Sequence, residues 1–364
     1  MKTSKITPPR SDFKRLDYID FAKALGMLLI VWGHIRLGDW SNAFVYAFHI
    51  PLFFFLSGMV FSKKRYPDFK SFLLKRVNSL IKPYIVFSVL TWIVWAAFSY
   101  VTHADVDSYW MPLAETFIAQ GSGGFLLHNV PLWFVTCLFV VEIIYYFMAD
   151  LKGLWVMVIS IGLATISYWA INNLESFDVT LLPWNIEVAM LAISFYAAGH
   201  RTIEAKSHQG IMNLVNSHKT ISIVLTAMFA CVVYVGSQYN GSISFGHADL
   251  GKNVLVTYGC GLAGTLMWLI GCILLADTKI NKDGVKLLEW TKWFGRNSFN
   301  AMAIHNPIKG FVCVVVGIVL HCGSSAVSAN SYYSFIAFLL TLVVTVIGMM
   351  FINWFKIKIS RKEK

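Results

Sequence analysis

Three residues that can do chemistry share one apolar stretch near the start of the chain. Asp20, Lys23 and His34 lie within DYIDFAKALGMLLIVWGHI. A helix advances about 100° per residue, so the step from Lys23 to His34 closes to within about 20° of three whole turns. Asp20, one turn before Lys23, falls on the same stripe. Asp20 and Lys23 are spaced to pair on a helix surface. A neutral imidazole at His34 can take a proton from a hydroxyl or return one to a leaving group. Two plainer readings stand beside these: an interfacial Asp–Lys pair that snorkels to the headgroups, and a histidine hydrogen-bonded for packing.

Other ionisable residues recur in apolar surroundings: His49, Glu142, Glu187 and His305. A charge at membrane depth is expensive, and its usual place is the interior of a bundle, where it serves function. An interhelical hydrogen bond is the alternative for each. This inventory leaves two classes open, a transporter of protons or solutes and a membrane-embedded enzyme. The six cysteines show no metal or CxxC spacing, and no metal site is expected.

These residues need elements to hold them. Of 364 residues, 57% are hydrophobic and 13% are charged. A soluble domain carries roughly 25% charged residues, so this chain has too little polar surface for water. The spacing predicts an all-α integral membrane protein, a bundle of about ten transmembrane helices. The candidates are 17–38, 44–62, 80–101, 131–149, 153–171, 185–200, 219–237, 253–276, 297–320 and 332–355. A tight turn at Asp150–Leu151–Lys152–Gly153 predicts a hairpin of the fourth and fifth. Residues 1–16 and 356–364 read as basic tails of one transmembrane domain spanning 1–364. The first fifteen residues lack the pattern of a cleaved signal, so the first apolar segment reads as a retained anchor.

Lysine and arginine orient the chain. With ten helices, 26 basic residues fall on one side and two, Arg36 and Lys252, on the other, while Lys23 and Lys309 fall within helices. The positive-inside rule then puts both termini in the cytoplasm. The net charge of +11 is spread between apolar segments rather than along one face, which argues against nucleic acid. Two outer loops are long. Residues 102–130 contain Gln120–Gly121–Ser122–Gly123–Gly124, a turn that suits an entrance or a plain connector, and residues 238–252 are rich in Gly, Ser and Asn.

The pattern Lys23-x10-His34 resembles the [Arg/Lys]-x10-His motif of the acyltransferase 3 family. The stretch from Tyr18 to His34 and Phe48–His49–Ile50–Pro51–Leu52–Phe53–Phe54–Phe55–Leu56–Ser57–Gly58 resemble its fucose 4-O-acetylase-like branch. Phe72 to Tyr84, Pro131–Leu132–Trp133–Phe134, and Gly295 to Pro307 with Ser298 and His305 extend the resemblance over the whole chain. One departure stands out. Many relatives carry Arg-x-x-Arg before the third helix, whereas here Ser79 follows Arg76 and Lys82 comes a turn later.

The resemblance implies ten helices in the cell (inner) membrane and O-acyl transfer, usually of acetyl from acetyl-CoA, to a hydroxyl of an envelope or exported glycan or its lipid-linked precursor. It implies His34, Lys23 and Asp20 as catalytic residues. Arg76, Lys82, Lys75 and Arg296 would hold the donor, and His49, Trp133, Glu142, His305 and Ser298 would line the acceptor pocket. Acetyl-CoA is the implied cosubstrate, with no metal. The implied partners are the acyl-CoA, a glycan acceptor and the bilayer, and a separate glycan-assembly protein or a second copy of the chain is compatible. Direct transfer and a covalent acyl-enzyme both fit these residues. A transporter or flippase is the competing class, and it often shows two related halves. No internal repeat is visible here.

Overall fold

The computed structural model describes residues 17–121, 124–173, 182–276 and 282–362. The basic residues of the N-terminal tail lie outside them. Among the described residues all regular structure is helical, save one isolated bridge between Ser244 and Asp249. Among the described residues, nine helical spans are long and apolar enough to cross a membrane. The chain is therefore a multi-pass α-helical membrane protein.

The long helices of the first half are α1 (Asp17–Ile35), α2 (Asp39–Tyr46), α3 (His49–Met59), α4 (Phe69–Arg76), α5 (Lys82–Val101), α7 (Trp133–Met148), α8 (Gly153–Asn173) and α9 (Ile186–Glu204), with α6 (Met111–Glu115) in the first outer loop. The second half has α10 (Ser207–Ser217), α11 (Lys219–Asn240), α12 (Val254–Ala276), α13 (Lys282–Arg296), α14 (Ser298–Val319), α15 (Ser324–Ala329) and α16 (Ser331–Lys362). Helices α8, α11 and α16 face outward with large apolar side chains such as Trp155, Ile161, Val224, Val235, Val343 and Phe351. Such a belt is what hydrocarbon tails require.

Helix α9 is the expected span that fails the apolar test. It carries Glu187 in its first turn, and Arg201 and Glu204 in its last. Most of its side chains are buried, and it packs against α3, α7 and α8. A helix enclosed by protein needs no lipid-compatible surface, so hydropathy understates it. This placement also corrects the expected hairpin. The turn at Asp150 is present, but α8 lies chiefly along α9, which lies along α7. Arg201 holds the arrangement by donating to the Leu151 carbonyl at 2.6 Å.

The contact of α3 with α9 depends on two glycines. A Cβ on Gly58 would collide with the Tyr196 carbonyl oxygen, and one on Gly199 with the Phe55 carbonyl oxygen. The two backbones touch because neither side chain intervenes, the small-residue solution usual in membranes. Gly58→Ala is expected to force the helices apart, at a cost of about 1–3 kcal/mol for overpacking. A lowered melting temperature in detergent checks this, and an unchanged one removes the contact from the fold's needs.

Two spans depart from regular helix. The second is broken between α2 and α3, with Phe48 at φ −142°. Pro51 stands in the first turn of the new helix, where its missing N–H costs nothing. The third runs on from Phe69 through a π-helical turn, Val77–Ile81, into α5. Such turns insert extra backbone and re-aim the flanking side chains. Arg76 turns inward, while Lys75 and Lys82 stay exposed.

Candidate functional site

A cavity of about 170 Å³ lies in the bundle. Lys23 and His34 reach it from α1, His49 and Ser57 from α3, Trp133 from α7, and Ser298 from the start of α14. Apolar side chains, among them Met27, Phe53, Leu138 and Met302, complete the wall. Five of the residues expected at the site are thus brought together from four helices. His305 sits directly behind His34, with ring centroids 5.2 Å apart. The remaining candidates lie elsewhere.

The local backbone sets the tautomers of two histidines. His49 Nδ1 lies 2.9 Å from the Val45 carbonyl oxygen at the end of α2. A carbonyl only accepts, so Nδ1 carries the proton and Nε2 keeps its lone pair. The helix break supplies this contact: α2 ends with unsatisfied carbonyls, and His49 opens α3 beside them. His305 Nδ1 lies 2.8 Å from the Met302 oxygen and 3.2 Å from that of Ala301. Its Nε2 is buried, without a hydrogen-bond partner in the protein. His34 therefore stands beside an imidazole whose Nε2 has no partner in the protein.

A second cavity, of about 780 Å³, opens at the basic end of the bundle. It is lined by Asp20, Lys23, Lys63, Lys64, Arg65, His200 and His208, among others. Lys63 pairs with Asp150 at 2.5 Å, and Lys64 and Arg65 stand beside it on the same wall. Lys23 lines both cavities. The stripe read from the sequence thus runs from Asp20 in the basic cavity, through Lys23 at the junction, to His34 in the central one.

Asp20 meets a partner that helix spacing does not show. Arg296 Nε lies 3.3 Å from its Oδ2. Helix α13 packs closely along α1, and Gly295 abuts the Asp20 carbonyl. Lys292 adds a contact to Asp17 at 2.9 Å. An amphipathic helix thus holds the inner end of α1, in a segment where no span is expected.

Arg76 and Glu142 meet each other. Arg76 Nε lies 3.0 Å from Glu142 Oε2, as an ion pair rather than an aligned hydrogen bond. Tyr196 donates to the other carboxylate oxygen at 3.3 Å. The guanidinium rests over Phe72, 5.4 Å from the ring centroid. Neither residue lines the two cavities. Lys75 and Lys82 line neither cavity as well, and Ser79 Oγ contacts the Arg76 carbonyl at 3.4 Å. Glu187 stands apart near the outer loops and accepts from the Leu182 amide at 3.2 Å.

The two long outer loops close over Trp133. A Cβ on Gly121 would meet the indole at 2.8 Å, and one on Gly246 would meet it from the second loop at the same distance. Asn185, in the left-handed region at φ 51°, donates to the Gly246 carbonyl at 3.3 Å. Asn129 ties the first loop to α14 by donating to the Ala303 carbonyl at 2.6 Å. His128 beside it is buried, which pushes its pKa down to about 4 and keeps the ring neutral. The first loop is thus part of the roof. Ser122 and Gly123 of its glycine turn lie outside the described residues.

Ser57, His200 and Tyr196 were not among the site residues expected from the sequence. Ser57 lies within the FHIPLFFFLSG stretch, which offered a local signal. Tyr196 and His200 offered none, because α9 carries no motif.

The family model described as an acyltransferase domain, Acyl_transf_3, matches residues 16–356. No curated protein and no solved structure matches the chain.

Proposed function

We propose that this chain, which belongs to the Acyl_transf_3 family of acyltransferases and is a membrane acyltransferase, moves acetyl from cytoplasmic acetyl-CoA to a glycan hydroxyl. The acceptor is a cell-envelope or exported polysaccharide or its lipid-linked precursor, and the membrane is the cell membrane. The resemblance of the Phe48–Gly58 stretch to the fucose 4-O-acetylase-like branch supports this reading. One observation carries the reading. Lys23 borders both the cation-lined basic cavity and the central cavity that holds His34.

The donor's phosphates suit the basic cavity, where Lys64 and Arg65 offer charge-assisted hydrogen bonds. This shifts the donor site from Lys75 and Lys82, which stay exposed, towards the run that precedes α4. Arg296 acts at one remove by holding Asp20. The pantetheine arm passes Lys23 and delivers the thioester to the central cavity.

His34 then removes the proton of the attacking hydroxyl. The new C–O bond forms as the C–S bond breaks, and the same proton goes to the departing thiolate. The acceptor enters from the outer side, beneath Trp133, with His49 and Ser298 against it. The developing oxyanion needs fixed donors, and the Lys23 ammonium and Ser298 hydroxyl are at the cavity wall. The buried ring of His305 positions His34 and offers its free Nε2 to the imidazolium.

The test uses purified protein, radiolabelled acetyl-CoA and isolated envelope glycan or its lipid-linked precursor. Alkali-labile label on the glycan is the expected result. Protein that binds no acyl-CoA yet moves a glycan lipid between leaflets would establish the transporter reading instead.

A further inference from the structure

The outer end of α1 gathers charge that acyl transfer itself does not require. The outer side of this chain is poor in cations, with Arg36 and Lys252 against 26 basic residues on the inner side. Yet Arg36 and Lys309 converge there. Arg36 follows the last residue of α1 in a left-handed conformation, φ 58°, and is exposed. Lys309, from α14, is half-buried and places Nζ 3.4 Å from the His34 carbonyl oxygen. The Arg36 guanidinium is within electrostatic range of the Lys309 ammonium and of the Tyr46 hydroxyl.

Among the described residues, no carboxylate forms an ion pair with Arg36 or Lys309, and the Tyr46 hydroxyl makes no hydrogen bond to protein. Asp39, which opens α2, is exposed and unpaired with Arg36. A plainer account exists. Lys309 caps the carbonyls at the C-terminal end of α1, and Arg36 snorkels to the headgroups. One cation suffices for the helix end, however. A second cation within range raises the energy of the first, the more so where water is scarce.

We propose that Arg36 and Lys309, with Tyr46 as a hydrogen-bond donor, bind an anionic group of the acceptor at the outer mouth of the cavity. Arg36 offers a planar fork that matches a carboxylate or phosphate, and Lys309 a point charge. Lys309 touches the backbone of His34, so the anion sits a short reach from the hydroxyl that His34 deprotonates. The favoured acceptors are then acidic. The anion is either a carboxylate on the sugar chain or the phosphate of a lipid-linked sugar. This deepens the proposed function, since it takes the acceptor to approach His34 from the outer side.

Direct binding tests it without any acyl donor. Purified protein in a neutral detergent is titrated with methyl glucuronide, glucose 1-phosphate and methyl glucoside, read by calorimetry. At least one anionic probe is expected to bind roughly tenfold or more tighter than the neutral glucoside, with the preference weakened by added salt. The stronger of the two anionic probes identifies the source of the charge. Arg36→Gln and Lys309→Gln are expected to abolish the preference, and Arg36→Lys to keep part of it. Arg36 is exposed, so its variants leave the fold intact and decide the matter should Lys309→Gln fail to fold. Equal binding of all three probes, no binding of any, or a preference that survives Arg36→Gln would overturn the proposal and leave a helix cap and a headgroup anchor. Because no donor is present, this result stands apart from whether acetyl transfer is found.

Discussion

His34→Ala is expected to reduce kcat/KM for acetyl transfer by about 10²–10⁴-fold, the range that a positioned general base contributes. Three histidines compete for this role, and the geometry separates them. His305 is fully buried and absent from the cavity wall, so it acts through His34. His49 lines the cavity, but its ring is held by the Val45 carbonyl at the break between α2 and α3. His34 lines the same cavity on the helix that also carries Lys23. Substitution of His49 is expected to raise KM more than it lowers kcat, since an acceptor contact acts in the ground state too. His305→Asn is expected to lower kcat by a smaller factor than His34→Ala, with little change in donor affinity. Transfer assays on variants of unchanged melting temperature check all three. Full activity in a folded His34→Ala protein would remove it from catalysis and move the base to His49.

Arg76→Ala is expected to cost about 3–5 kcal/mol of stability, because it strands a buried carboxylate. Glu142 is 6% exposed and its partner 18%, so solvent screens the pair little. The second carboxylate oxygen accepts only the Tyr196 hydroxyl. Glu142→Gln strands the guanidinium less severely, as stacking over Phe72 and a remaining amide oxygen still serve it. Arg76→Met with Glu142→Leu removes both charges and is expected to recover most of the loss. A double-mutant cycle on melting temperatures in detergent measures the coupling. The competing role is donor binding. An Arg76→Ala protein as stable as wild type, with only its acetyl-CoA affinity weakened, would return Arg76 to the donor site.

The Arg76 case marks where sequence reasoning stops. The residue belongs to a basic run at the inner face, and a run of cations there suits phosphates. Its inward turn follows a π-helical segment, and its partner comes from another helix 66 positions along the chain. Neither leaves a trace in local spacing. The same holds for Asp20. Spacing offers Lys23 as its neighbour, but the tertiary structure adds Arg296, because α13 docks along α1 through Gly295.

What the sequence determined by itself is whatever depends on period and solvent. Apolar length set the spans, since hydrocarbon offers a backbone no partners. Helical period put Asp20, Lys23 and His34 on one stripe, and the structure lays that stripe along two cavities. The motif residues His49, Trp133 and Ser298 proved to share a wall with His34. The span expected at 185–200 is present as α9, although its hydropathy is low because protein surrounds it. Only the tertiary structure decided which helices neighbour which: that α8 lies along α9, that the outer loops roof Trp133, and that Lys309 reaches the His34 carbonyl at the end of α1. In a membrane every apolar face is equally soluble in lipid, so hydrophobicity alone selects no partner. The choice falls to close glycine contacts such as Gly58 with Tyr196 and to ion pairs such as Arg76 with Glu142. Both are properties of two helices together, and neither segment carries them alone.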